Sequence, residues 1–119
     1  MGSLPTQLGL LSNLVQVIMN GNLLTGSIPS ELGSWTSIAV FSVSSNKLTG
    51  PIPPELGSWT SIKDVQLSTN DLTGTIPSGL GLWSSIESFA VAENKLIGSI
   101  PSELGSWTSV TNAQFWNNA

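Results

Sequence analysis

Five prolines, Pro5, Pro29, Pro53, Pro77 and Pro101, stand 24 residues apart without a slip. Each sits in the same frame: Leu4-Pro5-Thr6-Gln7-Leu8-Gly9, Ile28-Pro29-Ser30-Glu31-Leu32-Gly33, Ile52-Pro53-Pro54-Glu55-Leu56-Gly57, Ile76-Pro77-Ser78-Gly79-Leu80-Gly81 and Ile100-Pro101-Ser102-Glu103-Leu104-Gly105. A unit this short cannot bury a core of its own. It must stack on copies of itself, so a fixed period of 20 to 29 residues predicts a solenoid. The expected organisation is one array over residues 1–119, in five 24-residue coils starting near those prolines.

Between prolines, Ile38-Ala39-Val40-Phe41-Ser42-Val43-Ser44-Ser45-Asn46-Lys47-Leu48 reads L-x-x-L-x-L-x-x-N-x-L. The same slots hold Leu14/Val17/Met19/Asn22/Leu24, Ile62/Val65/Leu67/Asn70/Leu72, Ile86/Phe89/Val91/Asn94/Leu96 and Val110/Ala113/Phe115/Asn118. The apolar pair alternates with period two, which predicts a short strand with Phe41 and Val43 inward and Ser42 outward. Successive strands are expected to pair in parallel, roughly 4.8 Å apart. Asn22, Asn46, Asn70, Asn94 and Asn118 fall where the chain leaves the strand. An amide there both donates and accepts, satisfying backbone groups that a corner removes from the ladder.

Leu-Thr-Gly-x-Ile-Pro follows. Gly26, Gly50, Gly74 and Gly98 predict positive φ or close backbone approach. Proline is expected to preset the first position of a short helical turn, with Gly33, Gly57, Gly81 and Gly105 ending it in the left-handed conformation. Trp35, Trp59, Trp83 and Trp107 share a slot that Leu11 fills in the first coil. They read either as an aromatic binding ladder or, as Leu11 favours, as core residues with the indole N–H at the rim.

Composition removes whole classes of chemistry. Three Lys and no Arg against seven acids give a net charge of −4, so the cationic footprint of a nucleic-acid binder is missing. Without Cys or His the chain has no disulfide, no thiolate or imidazole metal ligand and no His-activated nucleophile. No apolar run approaches the roughly 18 residues that span a bilayer, and residues 1–6 lack the cationic and apolar regions of a signal peptide. Met1-Gly2-Ser3-Leu4-Pro5-Thr6 fits the loose myristoylation pattern, but Gly2, Leu4 and Pro5 already match Gly26, Ile28 and Pro29, and Met1 takes the slot of Thr25. No cofactor is expected.

Leu48-Thr49-Gly50-Pro51-Ile52-Pro53-Pro54-Glu55-Leu56-Gly57 resembles the plant-specific class of leucine-rich repeats, and the resemblance covers essentially the entire chain. It implies an α/β-type repeat solenoid, mostly β with short 3-10 turns. It further implies a right-handed superhelix, a parallel sheet on the concave face and a second short sheet at the L-x-G-x-I-P segment. Similar proteins include ectodomains of receptor-like kinases and receptor-like proteins, and secreted polygalacturonase inhibitors. The resemblance therefore implies a non-catalytic, extracellular recognition module in signalling, with a peptide or protein ligand and a co-receptor as partners. The inhibitor-like secreted binder is the alternative. The Cys caps and glycosylation sequons common in the family are missing, and so are a kinase segment and a membrane helix. Both ends are accordingly expected to be cut from something longer, and the uncapped segment to be marginally stable.

Outward strand positions form three columns. The first is Gln16, Val40, Asp64, Ser88 and Asn112; the second is Ile18, Ser42, Gln66, Ala90 and Gln114; the third is Asn20, Ser44, Ser68, Ala92 and Trp116. The ligand-contact candidates are Gln16, Ile18, Asn20, Val40, Ser42, Asp64, Gln66, Ser68, Ser88, Glu93, Asn112, Gln114 and Trp116. Trp116 reads as an aromatic anchor or as a cover for the last coil. Glu93 stands in a column without a base. Lys47, Asp71 and Lys95 alternate at one slot and Lys63 neighbours Glu87 at another, which predicts charge pairing on a solvated rim. Asp64 and Glu87 are the one carboxylate pair with glycosidase spacing, and charge pairing accounts for them better. Thr36, Thr60, Ser84 and Thr108, continued by Ser37, Ser61, Ser85 and Ser109, form a hydroxyl ladder; Thr25, Thr49 and Thr73 form another. These read as turn residues or, remotely, as an ice- or surface-binding array.

Overall fold

The computed structural model describes residues 2–119; Met1 lies outside the described residues. Among the described residues seven three-residue strands follow one another: β1 (Gln16–Ile18), β2 (Val40–Ser42), β3 (Thr49–Pro51), β4 (Asp64–Gln66), β5 (Asp71–Thr73), β6 (Ser88–Ala90) and β7 (Asn112–Gln114). One parallel sheet takes the order β1-β2-β4-β6-β7. Its register runs Val17↔Phe41↔Val65↔Phe89↔Ala113, so residues one period apart lie side by side. β3 and β5 make the second sheet, extended by bridges from Ser3 to Thr25 and from Ser27 to Thr49. Here the partners differ: Thr49 faces Asp71, and Pro51 faces Thr73. The lateral register is therefore two residues shorter than the repeat, and Thr25, Thr49 and Thr73 run obliquely rather than in a straight row.

Opposite the larger sheet lie 3-10 turns at Thr6–Leu10, Ser30–Ser34, Pro54–Ser58, Ser78–Leu82 and Ser102–Ser106. The repeating proline precedes each turn instead of opening it; Pro29 has φ −67° and ψ 138°, which is extended. Each turn ends when the Trp-slot N–H donates back to leucine, as from Trp35 to the Leu32 carbonyl at 3.1 Å. Gly105 does not take the left-handed conformation expected of it, and neither do Gly33, Gly57 and Gly81. The last three are glycines because the next coil passes too close: a Cβ would stand 2.7 Å from the Glu55 carbonyl oxygen at Gly33 and 2.6 Å from that of Gly79 at Gly57. Positive φ occurs at Gly26, Gly50, Gly74 and Gly98, as expected. It also occurs at a slot with no glycine signature, Gly21, Ser45, Thr69, Glu93 and Asn117. That turn aims each N–H at the next coil, Ser45 to the Ser68 carbonyl at 3.0 Å and Thr69 to that of Ala92 at 2.9 Å. The hydrogen bonds offset a backbone conformation unfavourable for a β-branched threonine.

The core fills the space between sheet and turns. Val43, Leu67 and Val91 are fully buried, with Leu32, Leu56 and Leu80 facing them from the turns. Trp35, Trp59 and Trp83 are buried too, which settles the Trp slot as core. Their rings stack at 5.9 Å (Trp35–Trp59), 6.1 Å (Trp59–Trp83) and 5.8 Å (Trp83–Trp107), while Phe41 and Phe89 meet them edge-on. The indole N–H is not at the rim. Trp59 Nε1 donates to the Leu32 carbonyl at 2.8 Å and Trp83 Nε1 to that of Leu56 at 2.8 Å. One leucine carbonyl thus closes its own turn and clamps the following coil.

The asparagine ladder works in the same way across coils. Asn70 Nδ2 donates to the Val43 carbonyl of the preceding coil and the Leu67 carbonyl of its own, both at 3.1 Å, while Oδ1 accepts from the Leu48 N–H at 3.0 Å. Asn46, Asn94 and Asn118 repeat the pattern. Asn22, in the first coil, bonds only the Met19 and Asn20 carbonyls.

Candidate recognition surface

The outward face of the larger sheet carries the three predicted columns, unequally exposed. Gln16, Ile18 and Asn20 are exposed at one end, and Asn112 and Trp116 at the other. Val40, Asp64, Gln66, Ser68, Ser88 and Gln114 are half-buried along the middle. Ser42 is a correction. Only 5% exposed, it is closed over by its neighbours, and its hydroxyl donates to Asn20 Oδ1 at 2.7 Å. Ala90 and Ala92, outward by alternation, are buried as well, because larger side chains in adjoining coils cover so small a group. Asn20 Oδ1 also accepts the Ser44 N–H at 2.9 Å, which ties the first two coils together on this face.

A chain of side-chain hydrogen bonds crosses the centre. Gln66 Nε2 donates to Asp64 Oδ1 at 2.6 Å and to Ser88 Oγ at 3.0 Å. Asn112 Nδ2 reaches Ser88 Oγ at 3.4 Å, and Gln114 Nε2 reaches Asn112 Oδ1 at 3.4 Å. These bonds hold long polar side chains in place, reducing the entropy a ligand would have to remove. The Ser68 hydroxyl, beside them, is buried and has no partner. The face is therefore a pre-ordered polar floor between two bulkier ends, Ile18 at 56% and Trp116 at 54% exposure.

Glu93 lies beyond the strand, at the positive-φ slot, where it accepts from Thr69 Oγ1 at 3.2 Å. Thr69 and Ser45 line this rim and lie outside the candidate set, since neither residue type signals a positive φ. The rim charges pair less than the columns suggest. Lys95 Nζ meets Asp71 Oδ1 at 2.8 Å, and among the described residues neither Lys47 with Asp71 nor Lys63 with Glu87 forms an ion pair. No cluster of three or more acidic side chains able to hold a metal ion occurs among the described residues. Among the described residues no helix is long and apolar enough to cross a membrane. Thr36, Thr60, Ser84 and Thr108 are all exposed, as are Ser37, Ser61 and Ser109, with Ser85 half-buried.

A family model described as Leucine Rich Repeat matches residues 13–35 and 37–59. Among solved structures, "Crystal structure of PEPR1-AtPEP1" superposes with a TM-score of 0.97 at 36% identity, covering 99% of this chain and 17% of that one. The ectodomain of the receptor kinase GASSHO1/SCHENGEN3 from Arabidopsis thaliana, in complex with CASPARIAN STRIP INTEGRITY FACTOR 2, gives 0.94 at 38% identity, covering 99% and 14%. A plant ice-binding protein gives 0.92 at 28% identity, covering 98% and 38%. The chain thus spans about one sixth of the length of the receptor ectodomains it resembles. No curated protein gives a significant match.

Proposed function

From the premise that the chain belongs to the leucine-rich-repeat family in its plant form, we propose that it is a non-catalytic recognition module of an extracellular receptor-like protein. Its concave sheet takes a peptide or protein ligand, with a co-receptor as further partner. The carrying observation is the superposition at 36% identity on a receptor solved with AtPEP1, over 99% of this chain. The polar floor supports it. An extended peptide laid across the coils meets Asp64, Gln66 and Ser88 as a pre-formed row of donors and acceptors. At one end it meets Trp116, an aromatic anchor of the kind that dominates interface energies. Selection from a display library of random peptides tests this reading. Trp116→Ala should weaken the selected peptides by about 2 kcal/mol, with melting unchanged. Selected peptides indifferent to Trp116→Ala and to Asp64→Ala would refute the assignment to this face.

A second reading has its own support: the 28% identity to a plant ice-binding protein across 98% of the chain. The double row of Thr36, Thr60, Ser84 and Thr108 with Ser37, Ser61, Ser85 and Ser109, exposed except for half-buried Ser85, carries no ionised group. Each pair follows a Trp whose stacked ring fixes the spacing. On this reading the row orders water into a lattice. Thermal hysteresis should then be measurable and be abolished by Thr60→Lys, while peptide binding is untouched. Absence of hysteresis in the unmodified chain removes the reading.

A further inference from the structure

The 3-10 turns form a convex ridge whose third slot carries a long polar side chain except in one coil. The third slot holds Gln7, Glu31, Glu55 and Glu103, but Gly79 in the fourth coil. The sixth slot holds Ser34, Ser58 and Ser106, but leucine in two coils, Leu10 in the first, 81% exposed, and Leu82 in the fourth, 74% exposed; only Leu82 adjoins the third-slot glycine. Gly79 is not demanded by the fold. A Cβ there would meet the Pro54 carbonyl oxygen at 3.5 Å, ordinary contact, whereas at Gly57 and Gly81 it would approach backbone oxygen to 2.6 Å. Nor does Gly79 take positive φ. The ridge carries a cleft of about 350 Å³ at Gly33, Ser34, Glu55 and Ser58. Its counterpart two coils on, lined by Gly81, Leu82, Glu103 and Ser106, is about 490 Å³ and meets a further cleft of about 430 Å³ lined by Pro51, Pro54, Thr75 and Pro77; both share Ser78 and Gly79, so the missing side chain leaves the wider notch.

Charge identifies the occupant. Glu55 and Glu103 stand one coil to either side of Gly79, and none of the turns carries a basic residue. The three lysines, Lys47, Lys63 and Lys95, lie outside the turns, on the strand side of each coil. We infer that this convex notch is a second docking site, for an extended peptide segment of a partner protein bearing an aliphatic side chain next to a lysine or arginine. The aliphatic group seats over Gly79 against Leu82 and the prolines; the cation lies between the two carboxylates. The site is on the opposite side from the sheet, so one chain can hold a ligand on each face.

The test uses amide shifts of the isotope-labelled chain titrated with Gly/Ser-based synthetic peptides carrying a Leu–Lys pair. Peptides with Leu–Glu or Ser–Lys serve as controls. The Leu–Lys peptide should move the resonances of Ser78, Gly79, Gly81, Leu82 and Ser106, and the controls should not. Gly79→Gln, which restores the residue type of Gln7 and fills the notch without adding charge, should weaken binding at least tenfold. Leu82→Ser, which restores the type found in three other coils, should do the same. Both variants should melt no lower than the parent, because exposed Leu82 and unconstrained Gly79 contribute nothing to the core. Equal affinity in the variants, shifts confined to the strands, or no shift from any peptide would each overturn the proposal.

Discussion

Trp59→Ala is expected to unfold much of the array. Trp59 is fully buried, stacked between Trp35 and Trp83 and edge-on to Phe41. Truncating a buried aromatic costs about 3–5 kcal/mol through lost transfer and the cavity left behind. The Leu32 carbonyl also loses its 2.8 Å bond from the indole, although it keeps the Trp35 N–H. Set against a total stability of roughly 5–15 kcal/mol for a domain, that loss leaves little. Trp107→Ala should cost distinctly less, because Trp107 is half-buried and stacks on one tryptophan instead of two. Urea unfolding followed by circular dichroism measures both. A Trp59→Ala loss below about 1 kcal/mol, well short of the range for buried aromatics, would mean the stack is not what joins the coils.

Asn70→Ala is the second large effect. The substitution leaves the Leu48 N–H without its acceptor and the Val43 and Leu67 carbonyls without donors from this side chain, all in buried surroundings. The Val43 carbonyl keeps the Asn46 amide and the Leu67 carbonyl keeps the Asn94 amide, so the Leu48 N–H is the group left unsatisfied; a cost of about 1–3 kcal/mol is expected. The effect has a local signature. Hydrogen exchange at the Leu48 amide should accelerate far more than exchange at the Leu32 amide, whose acceptor is the Pro29 carbonyl and is untouched. Asn22→Ala makes the comparison, since its side chain is exposed and bonds only two nearby carbonyls. A cost for Asn70→Ala no larger than for Asn22→Ala would contradict the bridging role.

These two slots were also the most legible in the sequence, for a physical reason. A buried indole and a corner amide are chosen by residue type, so the same letters return in every period. The main-sheet register was legible on the same ground. Phe41 and Val65 must face inward, and slipping the strand by one residue would turn them to water. The lateral register was not legible, because it is set by how the backbone bends between two corners, and no side chain marks it. Ser45, Thr69 and Glu93 hid their positive φ since backbone hydrogen bonds, not glycine, stabilise it. The outer face was read only in part. Alternation gave direction for Ser42, Ala90 and Ala92, but their exposure depends on neighbours one coil away. Gly33 and Gly57 were correctly singled out, yet close approach rather than handedness requires them. On the ridge, the departure of Gly79 from the repeat was visible in the letters, but its meaning needed the Cβ distance to Pro54.

Two sheets with different offsets share a single period, and this governs how such an array can grow. Each coil touches only the coil before and the coil after it, both at 24 residues in the main sheet and at the shorter lateral step. Removing or duplicating any block one period long shifts both ladders together and leaves every junction with a partner of the right kind, wherever the cut falls. Length is consequently a free variable of the architecture. Unequal exchange between such tracts can lengthen or shorten the molecule without first inventing a new packing solution.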